Sequence, residues 1–193
     1  MRLYLLVLPV TLLLLWPASG QEITAIPIPV FNGGFEVDDL FCTPGNDCYA
    51  FGGTGWIAGP ASGVIKPSTI QFPSGVPGGA NVAWIGGFNS TGSILQVLSV
   101  PVRANVTYTL TLSVGQRADK AFTGYIAALT AGDAILAADS SLSPAPGTFL
   151  QDVIVYKSGP NPPQLGKLLA IFIKSLGNGQ VNIDNVALAA TVD

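Results

Sequence analysis

The chain has 193 residues, a formal net charge of −3 and no histidine, and only 10% of its residues are charged. Because no basic cluster is present, the chain lacks the electrostatic footprint of a nucleic-acid-binding protein. The absence of histidine excludes Ser-His-Asp and Cys-His catalysis and the usual zinc sites. With 49% hydrophobic residues, 23 glycines and 15 prolines, the composition favours a packed β protein with many turns over a disordered chain.

The first 20 residues have the pattern of a secretory signal peptide. Arg2 precedes an apolar run from Leu3 to Trp16, and small residues follow at positions 18–20. The run is shorter than the ~20 residues that a membrane span needs. We therefore predict an exported protein, extracellular or periplasmic, with no membrane span after cleavage. Residues 21–193 are predicted to form a single domain.

The beginning of the mature chain is predicted to be mostly irregular. Residues 23–30 favour an edge strand, where Pro27 does little harm, and Asn32-Gly33-Gly34 then bends the chain. Residues 38–63 have no strand pattern apart from a short interruption at Gly55-Trp56-Ile57. We therefore predict a long loop over this region.

Cys42 and Cys48 are the only cysteines, and the five residues between them include a strong turn sequence. In an exported protein, this pattern favours a local disulfide that closes the loop. Two free thiols and a metal-binding pair are the alternatives. The metal-binding alternative is weak because the chain offers no histidine and no further cysteine.

Strand signals become stronger after residue 81. Residues 107–114 are the clearest case, because Thr and Ser alternate with the apolar Tyr108, Leu110, Leu112 and Val114. That period places every second side chain inward, which a helix cannot do. Further strands are predicted at 82–85, 93–100, 124–131, 134–138, 149–156, 168–174 and 181–188. Many strands without a convincing helix predict an all-β antiparallel sandwich or barrel.

Two carboxylates near the ends of the mature chain are candidate metal ligands. Glu36 follows two glycines, and Asp184 shares strand parity with Val186 and Leu188, so Asp184 should continue the inward face. Calcium takes six to eight oxygen ligands, and a buried carboxylate is costly unless it is paired or metal-bound. The residues alone equally allow Asp184 to accept turn N–H groups and Glu36 to be exposed.

Aromatic residues are the candidate ligand contacts. Tyr49 and Phe51 are expected to be exposed in the loop after Cys48, next to the polar Asn46 and Asp47. Trp56 fits the core at least as well as a sugar-stacking platform, as do the remaining candidates Trp84, Phe88, Tyr125 and Tyr156. Long ordered loops often carry binding residues. We therefore predict a loop-built site near residues 49–56, without a catalytic dyad.

The order of several short motifs resembles that of known secreted modules. The motifs are Asn32-Gly33-Gly34-Phe35-Glu36, Gly55-Trp56, Gln96, residues 108–117, residues 129–132 and Asp184-Asn185-Val186. Together they are similar to galactose-binding-like jelly-roll modules, relatives of calcium-containing carbohydrate-binding modules. The resemblance implies a jelly roll with a structural calcium. Its ligands would be Glu36 and Asp184, with backbone oxygens near Asn32 or Gly33 completing the shell.

The same motifs also resemble the calcium-dependent Stig cyclases, which rearrange and cyclise indole-isonitrile terpenoids in the mouth of the sandwich. Those enzymes use a carboxylic acid on the last strand, and the corresponding inward position here is Asn182, an amide that cannot act as a general acid. We therefore predict a non-catalytic binding module for carbohydrate, with Asn182 near the ligand. The alternatives are a Stig-type cyclase acting on a small apolar terpenoid and a purely structural extracellular protein.

Overall fold

The computed structural model describes residues 24–40, 42 and 48–192, which contain twelve strands and no helix. The signal peptide predicted for residues 1–20 lies outside this part of the chain, as do Asn46 and Asp47. The strands are β1 (Ile26–Ile28), β2 (Cys48–Phe51), β3 (Ile57–Ala58), β4 (Ser62–Lys66), β5 (Val82–Ile85), β6 (Ser93–Pro101), β7 (Val106–Gln116), β8 (Tyr125–Ala131), β9 (Ala134–Asp139), β10 (Thr148–Lys157), β11 (Leu168–Ser175) and β12 (Val181–Val192). Among the described residues, no helix is long and apolar enough to cross a membrane.

The strands form two antiparallel sheets, which confirms the predicted β-sandwich. The seven-stranded sheet has the order β10-β7-β12-β5-β4-β2, and β1 also pairs with β12. The five-stranded sheet has the order β3-β6-β11-β8-β9. Strand β12 is long enough to pair with β5 near its start and with β1 near its end. It therefore joins the two halves of the larger sheet.

The main core lies between the sheets and follows the predicted alternation. On β7, the predicted inward residues Tyr108, Leu110, Leu112 and Val114 are all buried, whereas the Thr and Ser residues between them are partly exposed. The opposite sheet contributes residues from β8 and β11, including Leu129 and Ile171. Each large side chain removed from water in this way stabilises the fold by about 1.5–3 kcal/mol.

The outer face of the five-stranded sheet carries exposed apolar side chains. Strand β6 is central in its sheet, but only alternate residues are fully buried, and Val97 on the other face is 54% exposed. Ile135 and Leu168 are also exposed on this sheet. The apolar run at residues 93–100 therefore reflects one buried face and one apolar surface face.

A second, smaller apolar cluster lies on the outer face of the seven-stranded sheet, formed by Ile65, Val82 and Trp84. A cross-strand row passes through it; neighbouring strands contribute, in order, Phe51, Gly63, Trp84, Asn182, Gly115 and Phe149. A Cβ on Gly63 would meet the backbone carbonyl of Ala50. Glycine at this position therefore lets β2 and β4 approach closely and leaves room for the rings on either side.

Gly63→Ala should destabilise the protein by about 1–3 kcal/mol, because the added methyl collides with backbone that cannot easily move. Gly159→Ala is the matched control, since no atom lies within 4 Å of a Cβ built there. The free energies of unfolding of both variants can be measured by urea denaturation. Equal stability of the two variants would contradict the close approach of β2 and β4.

Candidate functional site

A cleft of about 600 Å³ opens on the outer face of the seven-stranded sheet. Its floor and one wall come from β2, β4 and β5, and the turns around residues 87–89, 117–123 and 178–180 complete it. The first wall is aromatic and contains Tyr49, Trp84 and Phe88. The second wall is polar and contains Arg117, Lys120, Asn178 and Gln180. The cleft therefore offers an apolar side and a hydrogen-bonding side to the same ligand.

Trp84 is the centre of the aromatic wall. Its side chain is 2% exposed, and its Nε1 donates a hydrogen bond to the carbonyl oxygen of Ala50 at 3.1 Å. Three rings stand edge-on around it, at centroid distances of 5.1 Å for Phe51, 5.6 Å for Phe88 and 6.0 Å for Tyr49. Phe51 and Phe88 are each 67% exposed. The wall is therefore an uneven cluster of rings with a large solvent-facing apolar area.

A tight turn between β5 and β6 holds Phe88 at the cleft. Gly87 and Ser90 exchange backbone hydrogen bonds at 3.0 and 2.9 Å, and the two residues between them have φ values of 50° and 59°. Positive φ at both central positions is typical of a type I′ turn, which favours Asn and Gly. Asn89 satisfies this preference, but Phe88 costs about 1 kcal/mol or more. The turn therefore places an aromatic ring at the cleft even though its backbone conformation is unfavourable for phenylalanine.

The polar wall is organised by Arg117, which is buried. Its Nε and one terminal nitrogen donate to the two carboxylate oxygens of Asp119 at 2.8 and 2.6 Å. The side-chain hydrogen bond from Arg117 holds the pKa of Asp119 below its ordinary value. The other terminal nitrogen donates to Oε1 of Gln180 at 3.5 Å, and Nε2 of Gln180 donates to Oδ1 of Asn182 at 3.4 Å. This chain of donors continues from the cleft into the sheet.

The structure places the four predicted ligand residues in different environments. Tyr49 lines the cleft, and Phe51 packs on Trp84 at its margin. Both belong to β2, so the prediction that they lie in a loop is wrong; pairing with β4 makes this short stretch an edge strand. The predicted disulfide between Cys42 and Cys48 is present at the start of the same strand.

Trp56 and Asn182 do not contact the cleft. Trp56 is buried in the main core against Phe35, and its Nε1 donates to the carbonyl oxygen of Asn32. Asn182 pairs with Trp84 across the strands and so lies on the same face of the sheet as the cleft. Its side chain is nevertheless fully buried, and its Nδ2 donates to the carbonyl oxygen of Ala83. It faces away from the main core, so the prediction that it points inward is wrong.

The residues of the polar wall, among them Lys120 and Gln180, were not predicted as site residues from the sequence. Gln180 could have been found from strand parity, since it lies two residues before Asn182 and shares its face. Lys120 has no such signal, because only the tertiary fold brings the turn after β7 next to β5.

Asp184 is fully buried at a bulge in β12. The register of β12 against β7 shifts between Asp184 and Ala187, and Asn185 has a φ of 49°. As a result, Ile183 and Val186 both enter the main core while Asp184 does not. The prediction that Asp184 continues the inward face is wrong, because the extra residue reverses strand parity.

Backbone N–H groups surround the Asp184 carboxylate. Its two oxygens accept hydrogen bonds from Asn185 N at 2.7 Å and from Gly78 N at 2.9 Å. Burial, followed by the nearby negative charge of Glu36, raises the pKa of Asp184 to about 7. Glu36 is exposed and accepts hydrogen bonds from the N–H groups of Ala80 and Asn81 at 2.9 and 2.7 Å. The loop at residues 78–81 therefore brings the two predicted metal ligands together.

The predicted backbone ligands already have partners. The carbonyl oxygen of Asn32 accepts hydrogen bonds from Phe35 N and from Trp56 Nε1, at 3.2 and 3.1 Å. The carbonyl oxygen of Gly33 accepts one from Val186 N at 2.9 Å. Within residues 24–40, 42 and 48–192, no three His, Cys, Asp or Glu side chains are grouped in a way that could hold a metal. A metal here would therefore depend on Glu36, Asp184 and additional non-acidic oxygens.

A second pair of acids lies away from the cleft. The Tyr125 hydroxyl donates to Oδ2 of Asp152 at 2.6 Å and lies 3.1 Å from Oδ2 of Asp139. Burial raises the pKa of Asp152, whereas the N–H of Ser141 lowers that of Asp139. These carboxyls face each other across a hydroxyl group and not across a space that a sugar could occupy, so they do not form a glycosidase pair.

In the absence of divalent cations, Asp184 should make stability fall as the pH rises. The carboxyl titrates near 3.8 when unfolded and near 7 when folded. Its stabilising contribution is therefore complete below about pH 3.8 and is lost as the pH approaches about 7. Melting temperatures of the wild type and Asp184→Asn in EDTA should diverge across this window, with the wild type losing stability relative to the variant. A constant difference would contradict the raised pKa.

Comparisons with known proteins are consistent with this architecture. A Stig cyclase, Fisc, from Fischerella sp. TAU, solved in complex with (3Z)-3-(1-methyl-2-pyrrolidinylidene)-3H-indole, is 27% identical over 88% of this chain and 100% of the cyclase chain, with a TM-score of 0.78. A cyclase from Fischerella sp. TAU in complex with 4-(1H-indol-3-yl)butan-2-one is also 27% identical, with the same coverage and a TM-score of 0.74. No curated protein matches significantly.

A more distant likeness extends to a carbohydrate-binding module. TmCBM61, solved in complex with β-1,4-galactotriose, is 14% identical over 83% of this chain and 97% of the module, with a TM-score of 0.54. At this identity the likeness shows only the fold, which supports the predicted galactose-binding-like jelly roll. The family model of the HpiC1 cyclase matches residues 26–189. The chain therefore belongs to the HpiC1-like cyclase family.

Proposed function

We propose that the protein binds a small, flat, largely apolar molecule of indole size in the cleft on the seven-stranded sheet. The observation that carries this proposal is the solvent-facing aromatic cluster around Trp84, which includes two rings that are 67% exposed. An aromatic ligand can add further edge-to-face or offset contacts to such a cluster, each worth about 0.5–1.5 kcal/mol. The backbone cost of Phe88 gives independent support, since strained residues concentrate at functional sites.

Carbohydrate is the second candidate ligand. The amide groups of Asn89, Asn178 and Gln180 line the cleft and could bind sugar hydroxyls. However, a pyranose packs best on one exposed ring face, and the most central ring here, Trp84, is almost fully covered by the others. The uneven surface therefore fits an aromatic molecule better than a sugar.

The cleft supports binding better than acid catalysis. None of its described lining residues is a carboxylate, and Asp119, which precedes Lys120 in the chain, is held by Arg117 with a lowered pKa. A general acid needs a pKa near the working pH. Asn182 supplies no acid either, so we propose binding without cyclisation.

We also propose a structural calcium at Glu36 and Asp184, in an exported protein. The donor set fits, because both are hard oxygen ligands, Asp184 is fully buried, and no basic side chain pairs with either carboxylate in the described part of the chain. A calcium ion would neutralise the two charges and hold the loop at residues 78–81 against β12. The disulfide at β2 and the apolar leader support export.

Calcium should reverse the stability order of the wild type and Asp184→Asn at about pH 8. In EDTA the variant should melt higher, because removing the buried charge outweighs the loss of one of the two N–H contacts, since the single amide oxygen can accept from only one of Asn185 and Gly78. In millimolar calcium the wild type should melt higher, because only its carboxylate binds the ion and ligand binding stabilises the folded state. Asp133→Asn, in an exposed turn, is the control and should show no reversal. The same order in both buffers would contradict the calcium site.

The ligand proposal can be tested by calorimetry with 4-(1H-indol-3-yl)butan-2-one and β-1,4-galactotriose. The indolyl ketone should bind, and Phe88→Asn should weaken it about fivefold through loss of one ring contact. The melting temperature should change little, because Asn is favoured in the turn and offsets the lost packing. Ile135→Asn removes an equally exposed apolar residue from the other sheet and should leave the affinity unchanged.

Three results would contradict this proposal. Binding of galactotriose without binding of the ketone would favour the carbohydrate candidate. Binding of neither would leave the cleft without the proposed role and favour a structural protein. Conversion of an indole-isonitrile terpenoid by the wild type would show catalysis despite the amide at position 182.

A further inference from the structure

We infer that the cleft selects aromatic ligands whose polar end is a hydrogen-bond acceptor, above all a carboxylate, and that Lys120 determines this selectivity. The inference rests on the proposed function, because it assigns the polar end of the ligand that the aromatic wall would hold. Its support comes from the charges, the direction of the hydrogen bonds and the arrangement of the two walls.

The charges at the cleft have the opposite sign to the chain as a whole. The protein has a net charge of −3, yet the described cleft lining contains two basic residues, Arg117 and Lys120, and no acid. The charge of Arg117 is matched by its two contacts with Asp119. Lys120 is exposed and makes no ion pair or hydrogen bond with any described residue. The cleft therefore carries one uncompensated positive charge.

Two hydrogen bonds of the polar wall already use amide oxygens as acceptors, although the amide of Asn178 still offers the wall an acceptor as well as donors. The Oε1 atom of Gln180 accepts from Arg117, and the Oδ1 atom of Asn182 accepts from Gln180. Nε2 of Gln180 uses one of its two hydrogens in this chain, which leaves the other as a donor. Lys120 adds up to three more donors and no acceptor. Because Lys120 adds donors together with a positive charge, a ligand group that accepts hydrogen bonds is better matched to this wall than one that donates them.

The two walls line the same cleft, so one molecule can contact both. Its aromatic part would pack on Tyr49 and Phe88, and its acceptor would point towards Lys120 and Gln180. An ammonium group in that position would meet Lys120 with the same sign of charge. The cleft therefore discriminates between ligands of equal size by the charge of their polar end.

Three matched ligands test this inference. They are 4-(1H-indol-3-yl)butan-2-one, 3-(1H-indol-3-yl)propanoate and 4-(1H-indol-3-yl)butan-2-amine, which share the indole and its two-carbon linker. By calorimetry at low salt, the carboxylate should bind about three- to fivefold more tightly than the ketone, the size expected of a solvent-screened ion pair. The amine should bind most weakly. Raising the salt concentration should reduce the advantage of the carboxylate.

Variants at Lys120 separate charge from shape. Lys120→Gln should bring the carboxylate and the ketone to nearly equal affinity, and Lys120→Glu should make the amine the preferred ligand. Lys167→Gln is the control, because Lys167 is exposed beside the groove on the other sheet and should not change the order. Melting temperatures should change little, because Lys120 is exposed and attracts Asp119 only through its charge, without an ion pair or hydrogen bond to a described residue.

The outcomes test the selectivity for the polar end of the ligand separately from the binding of an aromatic ligand. Equal binding of all three ligands, or tightest binding of the amine, would overturn the selectivity while leaving aromatic binding intact. A carboxylate preference that survives Lys120→Gln would overturn the role of Lys120. Failure of all three ligands to bind would overturn the proposed function and the inference with it.

Discussion

Period-two alternation along β5 and β12 gives the seven-stranded sheet two buried faces of different character. Ala83 and Ile85 enter the main core, while Trp84 between them supports the aromatic wall. On β12, Ile183 is in the core, and Asn182 beside it joins the hydrogen-bond chain that begins at Arg117. The fold and the cleft therefore share strands but not side chains. Every other feature of the site depends on this separation being kept along the whole strand.

The bulge at Asp184 and Asn185 changes which residues of β12 face the core, because it shifts the strand's alternation by one residue. Without the extra residue, Val186 and Leu188 would turn to the outer face, on which Asp184 lies in phase with Asn182. With it, both apolar residues return to the core, and the carboxylate is directed to the loop at residues 78–81. The bulge thus combines a packing role with the placement of a buried charge. That charge is costly, which is why a cation at this position would change the stability of the whole sandwich.

Sequence reasoning worked where the structure is local and periodic. Strand β7 was predicted with its facing, because residues 106–114 alternate without interruption and pair on both sides. Strand β2 was not predicted, because four residues in a region of turn-forming residues carry no recognisable period, and pairing with β4 supplies the order. The facing of Asp184 failed for a different reason, since a bulge is a property of two strands and not of one. The cleft could not be assembled either, because Lys120, Gln180 and Trp84 are distant in sequence.

The sharing of strands without the sharing of side chains also affects how such a protein can diverge. A substitution at Tyr49, Phe88 or Asn178, which are all exposed, changes the surface of the cleft but leaves the main core between the sheets untouched. Most such changes would therefore be nearly neutral for folding, although they alter what the cleft accepts. Natural variation can then explore new ligands one position at a time without passing through unfolded intermediates. We therefore expect related proteins to keep this fold while they differ in the ligands that they bind.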